Sequence, residues 1–96
     1  MHMQPSSKQL VSVLDELIES LEKDGFGAIA DILSVGKTRI LNSDYSGVEK
    51  VISAYAGQGS LNDIFAKDIS NPNFENLRDR AWELADELRK DEHRGT

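Results

Sequence analysis

This sequence predicts an all-α domain: four helices, with a short helical turn after a central glycine-rich motif. Three observations carry that expectation. Apolar residues recur at three- and four-residue intervals over four segments, capping and breaking residues bracket each segment, and no stretch alternates apolar with polar residues as a half-buried strand would. A chain of 96 residues makes one domain with one core. We expect residues 6–90 to form it, residues 1–5 to be disordered or tag-derived, and residues 91–96 to be a charged flexible tail.

Taken in order, Met1-His2-Met3 reads as a cloning remnant before a natural start at Met3, which takes His2 out of any chemistry. Ser6 with Gln9 has the form of a capping box. Leu10, Val13, Leu14, Leu17, Ile18 and Leu21 then stripe one face of a first helix from about Ser7 to Lys23, which Gly25 stops. Phe26, Ile29, Ala30, Leu33, Ile40 and Leu41 stripe a second helix from about Gly27 to Leu41. Gly36 stands on that stripe at a cost of about 1 kcal/mol relative to alanine, so it marks a kink or the close approach of another helix. Asn42-Ser43-Asp44 is a turn, and Asp44, or Ser46 boxed with Glu49, caps a third helix through Val48, Val51, Ile52 and Tyr55. Lys67-Asp68-Ile69-Ser70 reads as a polar connection, and Asn71-Pro72 opens a last helix to about Lys90 whose inward residues are Phe74, Leu77, Ala81, Leu84, Ala85 and Leu88.

The central run, Gly57-Gln58-Gly59-Ser60-Leu61-Asn62-Asp63-Ile64, lies between the third and fourth helices. Gly57 follows an apolar segment as a helix C-terminal cap would, Gly59 lets the chain turn again, and Ser60 with Asp63 has capping-box spacing for a short helical turn from about Leu61 to Ala66. Ser60, Asn62 and Asp63 could also floor a polar pocket, but serine, asparagine and aspartate after glycine are what turns and caps need without any ligand. The pattern G-x-G-S-L-N-D, preceded by Asp44-Tyr45-Ser46-Gly47-Val48, resembles a family of small, mostly uncharacterised bacterial proteins. The likeness runs from about Phe26 to Leu88 and implies no established active site.

Composition excludes several functions. A net charge of −6 and a pI near 4.8 disfavour nucleic acid and anionic membranes as partners. The absence of cysteine fits a cytoplasmic location, and no apolar run approaches the ~18 residues of a membrane span. Val35-Gly36-Lys37-Thr38 ends like a phosphate-binding loop, but Asp31 stands where that loop needs glycine. Asn42 to Gly47 begins like a calcium loop whose twelfth position, Ser53, cannot supply the bidentate glutamate. The only histidines, His2 and His93, are terminal. We therefore expect no metal, no cofactor and no catalysis.

What remains is surface. Asp15, Glu16, Glu19 and Glu22 form an acidic stripe opposite the apolar face of the first helix, and Glu75, Asp79, Glu83 and Asp86 form another on the last, where Asp86 can also pair with Lys90. Either stripe could simply be a solubilising surface. Trp82 lies beside the apolar stripe with Arg78 and Arg89 at helical spacing, either as a boundary residue covered by an arginine stem or as a binding anchor. A small acidic domain without cysteine or catalytic groups looks like an immunity protein that neutralises a bacterial toxin, with those stripes and that anchor as its partner-binding residues. The alternative is a homodimeric or larger regulatory scaffold module.

Overall fold

Leu10, Leu14, Leu17 and Leu21 recur about once per turn along one side of α1 (Pro5–Lys23), and all four are fully buried. At roughly 1.5–3 kcal/mol for each fully buried leucine, this row is a large part of what holds the domain together. After it come α2 (Gly27–Leu41), α3 (Ser46–Ser53), single 3₁₀ turns at Leu61–Asp63 and Ala66–Asp68, and α4 (Phe74–Arg94). This computed structural model describes residues 5–94, and the fold is all-α, with no strand among the described residues. Residues 1–4, Gly95, Thr96 and the side chains of His93 and Arg94 lie outside that description, and with them most of the expected tag-derived segment and the end of the charged tail.

α1 packs against α2 on one side and α4 on the other. Asn71, just before α4, donates from Nδ2 to Ser20 Oγ at 2.7 Å, and the Ser20 hydroxyl donates to the Glu16 carbonyl at 3.0 Å. Nearer the other end of α1, Arg80 Nη2 donates to Gln9 Oε1 at 3.1 Å. The first and last helices are therefore antiparallel. Gln9 is thus held by Arg80 rather than boxed with Ser6, which already lies inside a helix that begins at Pro5.

α2 and α3 cross at two glycines. A Cβ on Gly36 would lie 2.7 Å from the Val51 side chain and 3.0 Å from the Gly47 carbonyl oxygen, and one on Gly47 would lie 2.5 Å from the Gly36 carbonyl oxygen, so each helix occupies the space a side chain on the other would need. The close-approach expectation for Gly36 is met, without a break in α2. Leu41 departs from its expected core position, standing exposed at the helix end, while Val13, Phe26, Ile52 and Leu77 are only partly buried.

Between α3 and α4 the chain runs through residues 54–73 without a regular helix yet contributes Leu61, Ile64 and Ile69 to the core. Ile69 corrects the expected polar connection: its neighbours Lys67, Asp68 and Ser70 face solvent and it does not. The expected single turn over Leu61 to Ala66 is two shorter 3₁₀ turns, joined through extended backbone at Ile64 and Phe65. The last helix starts at Phe74 rather than Pro72, and the Asn71 side chain makes the expected capping contact ahead of it, accepting the Asn73 N–H at 2.9 Å. It runs on to Arg94, one turn past the expected end at Lys90.

Candidate functional site

The central motif builds a support. Gly57 and Gly59 take φ of +86° and +73°, the left-handed region that favours glycine. The Leu61 N–H donates to the Ala54 carbonyl at 2.9 Å and Asn62 Nδ2 to the Tyr55 carbonyl at 3.0 Å, so the motif satisfies oxygens that the end of α3 leaves open. Asp63 Oδ2 accepts the Gly59 N–H at 2.7 Å. The expected capping box is thereby only half formed and displaced by one residue, since Ser60 turns its hydroxyl inward, where it is buried without a hydrogen-bond partner.

At the start of α3, Asp44 Oδ1 accepts the Ser46 N–H at 2.9 Å, and these bonds from Ser46 hold the Asp44 carboxyl below the usual carboxylate range. Of the two residues proposed for this turn, Asp44 makes the contact.

On α4, Arg78 turns away from solvent, its side chain only 17% exposed. Its Nη1 donates to the Ile64 carbonyl at 3.2 Å and reaches the Leu61 carbonyl at 3.5 Å, and its guanidinium lies 5.5 Å over the Phe74 ring. Arg89 pairs with Asp86, to which Lys90 also comes within 3.2 Å, and bonds from Lys90 and Arg89 lower the Asp86 carboxyl's pKa against the opposing effect of burial. Neither guanidinium lies over the Trp82 ring. The indole instead meets Tyr55 of the α3 end, with ring centroids 5.3 Å apart and planes at 57°, a tilted arrangement favoured by ring quadrupoles. Tyr55 is buried and its hydroxyl donates to the Arg78 carbonyl at 2.6 Å, with burial as the main cause pushing the phenol's pKa upward.

Trp82 remains 37% exposed. It opens into a cleft of about 450 Å³ lined by Ile52, Tyr55, Ala56, Asn62, Asp79, Trp82 and Glu83. Two carboxylates and no cation line it. Asp79 is 3.7 Å from Arg78 Nε and Glu83 Oε2 is 3.3 Å from Arg80, yet both acidic side chains stay largely in solvent.

The α1 stripe lies elsewhere. Asp15 is taken up by Lys37 at 2.6 Å, whereas Glu16, Glu19 and Glu22 are exposed and make no ion pair among the described residues. Glu16 and Glu19 line a groove with Lys23, Ser70, Asn71 and Pro72, and Glu75 borders the next groove across that same corner. The structure thus brings Trp82, Asp79 and Glu83 together, sets Glu16, Glu19 and Glu75 around the Asn71-Pro72 corner, and places neither Arg78 nor Arg89 in the cleft lining. Sequence reasoning missed Tyr55 and Ile52 as walls of the cleft, because both sit on an apolar helical stripe that reads as core. Among the described residues no group of three acidic or histidine side chains is placed to hold a metal ion, and no helix is long and apolar enough to cross a membrane. Comparisons with protein-family models, curated proteins and solved structures returned no match.

Proposed function

We propose that this chain is a non-catalytic binding protein that neutralises a basic protein partner, acting in the bacterial cytoplasm as an immunity protein acts on a toxin. The observation that carries it is the α4 surface, where a partly exposed tryptophan borders a cleft whose charged lining residues are both acidic. Aromatic residues in desolvated pockets supply most of the energy of protein interfaces, while surrounding charges set association rate and partner choice. Glu16, Glu19, Glu22 and Glu75 extend the negative field beyond the cleft.

The test is to screen proteins encoded near this gene for a basic one that binds, and to follow its association by stopped flow at several salt concentrations. Neutralising Glu16, Glu19 and Glu22 together, or Glu75, Asp79 and Glu83 together, is expected to slow association and flatten its salt dependence, and Trp82→Ala to speed dissociation. Salt-insensitive kinetics that both charge variants leave unchanged would refute the proposal. So would a homodimer that closes over Trp82 with no basic partner bound.

A further inference from the structure

We infer that the cleft between α3 and α4 is a receptor for a guanidinium group, the tip of an arginine side chain presented by the partner. This rests on the proposed function only in who supplies the arginine. The chemistry is local: the Trp82 ring borders the cleft, Asp79 and Glu83 belong to the same wall one turn apart, and no lysine or arginine lines the space. A volume of about 450 Å³ lies within the range of ligand clefts, roughly 300–1,000 Å³, and exceeds what one side chain fills. Among cations, guanidinium fits best because it is planar, weakly hydrated and stacks on an indole while its N–H fork meets carboxylates. An ammonium would satisfy the charges without using the ring face as fully.

The wall is prepared for such a guest. The Tyr55 hydroxyl bonded to the Arg78 carbonyl and the tilted ring contact fix Trp82 against its neighbour in the cleft lining. Asn62 spends its amide N–H on the Tyr55 carbonyl, which leaves its Oδ1 as the acceptor of that amide. Of the arginines around Trp82, Arg78 is committed to loop carbonyls, Arg89 to Asp86, and Arg80 to Gln9 and one oxygen of the solvent-exposed Glu83 carboxylate, and none of the three lines the cleft.

Trp82 is the only tryptophan in the chain, so its fluorescence reports this cleft alone. The experiment titrates the folded protein with acetyl-Gly-Arg-Gly-amide and with its citrulline and lysine counterparts. Citrulline keeps the shape of arginine without the charge. Expected are a saturable change with arginine that weakens with salt, none with citrulline, and affinity at least tenfold lower in an Asp79→Asn, Glu83→Gln double variant whose circular dichroism matches wild type. A Trp82→Phe variant, followed through the amide resonances of Ala56 and Asn62, should bind several-fold more weakly. Equal responses to citrulline and arginine, lysine binding as tightly as arginine, or an unaffected double variant would each overturn the inference. A basic protein that binds while the arginine peptide does not would overturn it and leave the masking function standing. Saturation by the arginine peptide with no basic partner would uphold the receptor and remove the masking function.

Discussion

Placing one methyl group at Gly47 tests the crossing of α2 and α3 directly. A Cβ there would lie 2.5 Å from the Gly36 carbonyl oxygen, 2.7 Å from the Ile40 nitrogen and 2.8 Å from Arg39 Cβ. Two of these are main-chain atoms and the third is fixed to main chain, so no rotamer change relieves them. Comfortable heavy-atom contact begins near about 3.5 Å, so the helices must part by roughly 1 Å, a gap that forfeits up to about half of each dispersion contact across it. Overpacking of this kind costs typically ~1–3 kcal/mol, and contacts against backbone argue for the upper end. Alanine's better helix propensity offsets at most ~1 kcal/mol. The net loss is about 2 kcal/mol, or a melting temperature lower by about 8–16 °C for a domain of this size. Gly27→Ala is the control, since a Cβ there meets nothing within 4 Å and the same propensity gain is unopposed. Thermal and urea unfolding followed at 222 nm should move the two variants in opposite directions. If Gly47→Ala proves as stable as Gly27→Ala, the helices do not cross at the backbone contact described.

Replacing Arg78 by alanine should cost about 2–3 kcal/mol, because it strips charge-assisted donors from the Leu61 and Ile64 carbonyls, and Arg78→Lys should recover little of it. Urea midpoints decide it, and a loss no larger than that of Arg89→Ala would contradict the role assigned. Tyr55→Phe should cost about 1 kcal/mol near neutral pH by removing the hydroxyl's bond to the Arg78 carbonyl. Burial raises the folded phenol's pKa, so that group's contribution is fully present below the unfolded value of about 10 and is lost as pH rises above it. The stability gap between wild type and Tyr55→Phe should therefore narrow as pH rises from 9 to 11, and a constant gap would count against the buried phenol.

The helices were legible in the sequence because their determinants are local. Leu10, Leu14, Leu17 and Leu21 state their own periodicity, and Gly57 and Gly59 state their own dihedral angles. Gly36 was readable because it interrupted an apolar stripe. Gly47 was not, since beside Asp44 and Ser46 it looks like one more turn residue, and only the fold brings it onto Gly36. The direction Arg78 takes was not readable for a similar reason: helical spacing places it near Trp82, but the carbonyls that attract it come from Leu61 and Ile64. Half of the candidate site was visible in Trp82, Asp79 and Glu83, which share one helix. The other lining residues, Ile52, Tyr55 and Asn62, come from another segment, and no pattern within α4 could announce them.

The antiparallel pairing of α1 with α4 has a topological consequence. Arg80 meets Gln9, so the outer end of α4 lies fourteen residues from that contact and the outer end of α1 only four. At 1.5 Å per residue the ten-residue difference is an axial offset of about 15 Å. Five or six extended residues span that distance. The described chain can thus be closed into a ring through a short flexible linker and reopened at exposed Gln58, where the backbone carries no helix to interrupt. Such a permuted protein would begin in the glycine turn, run through α4 before α1, and keep the ring contact between Trp82 and Tyr55.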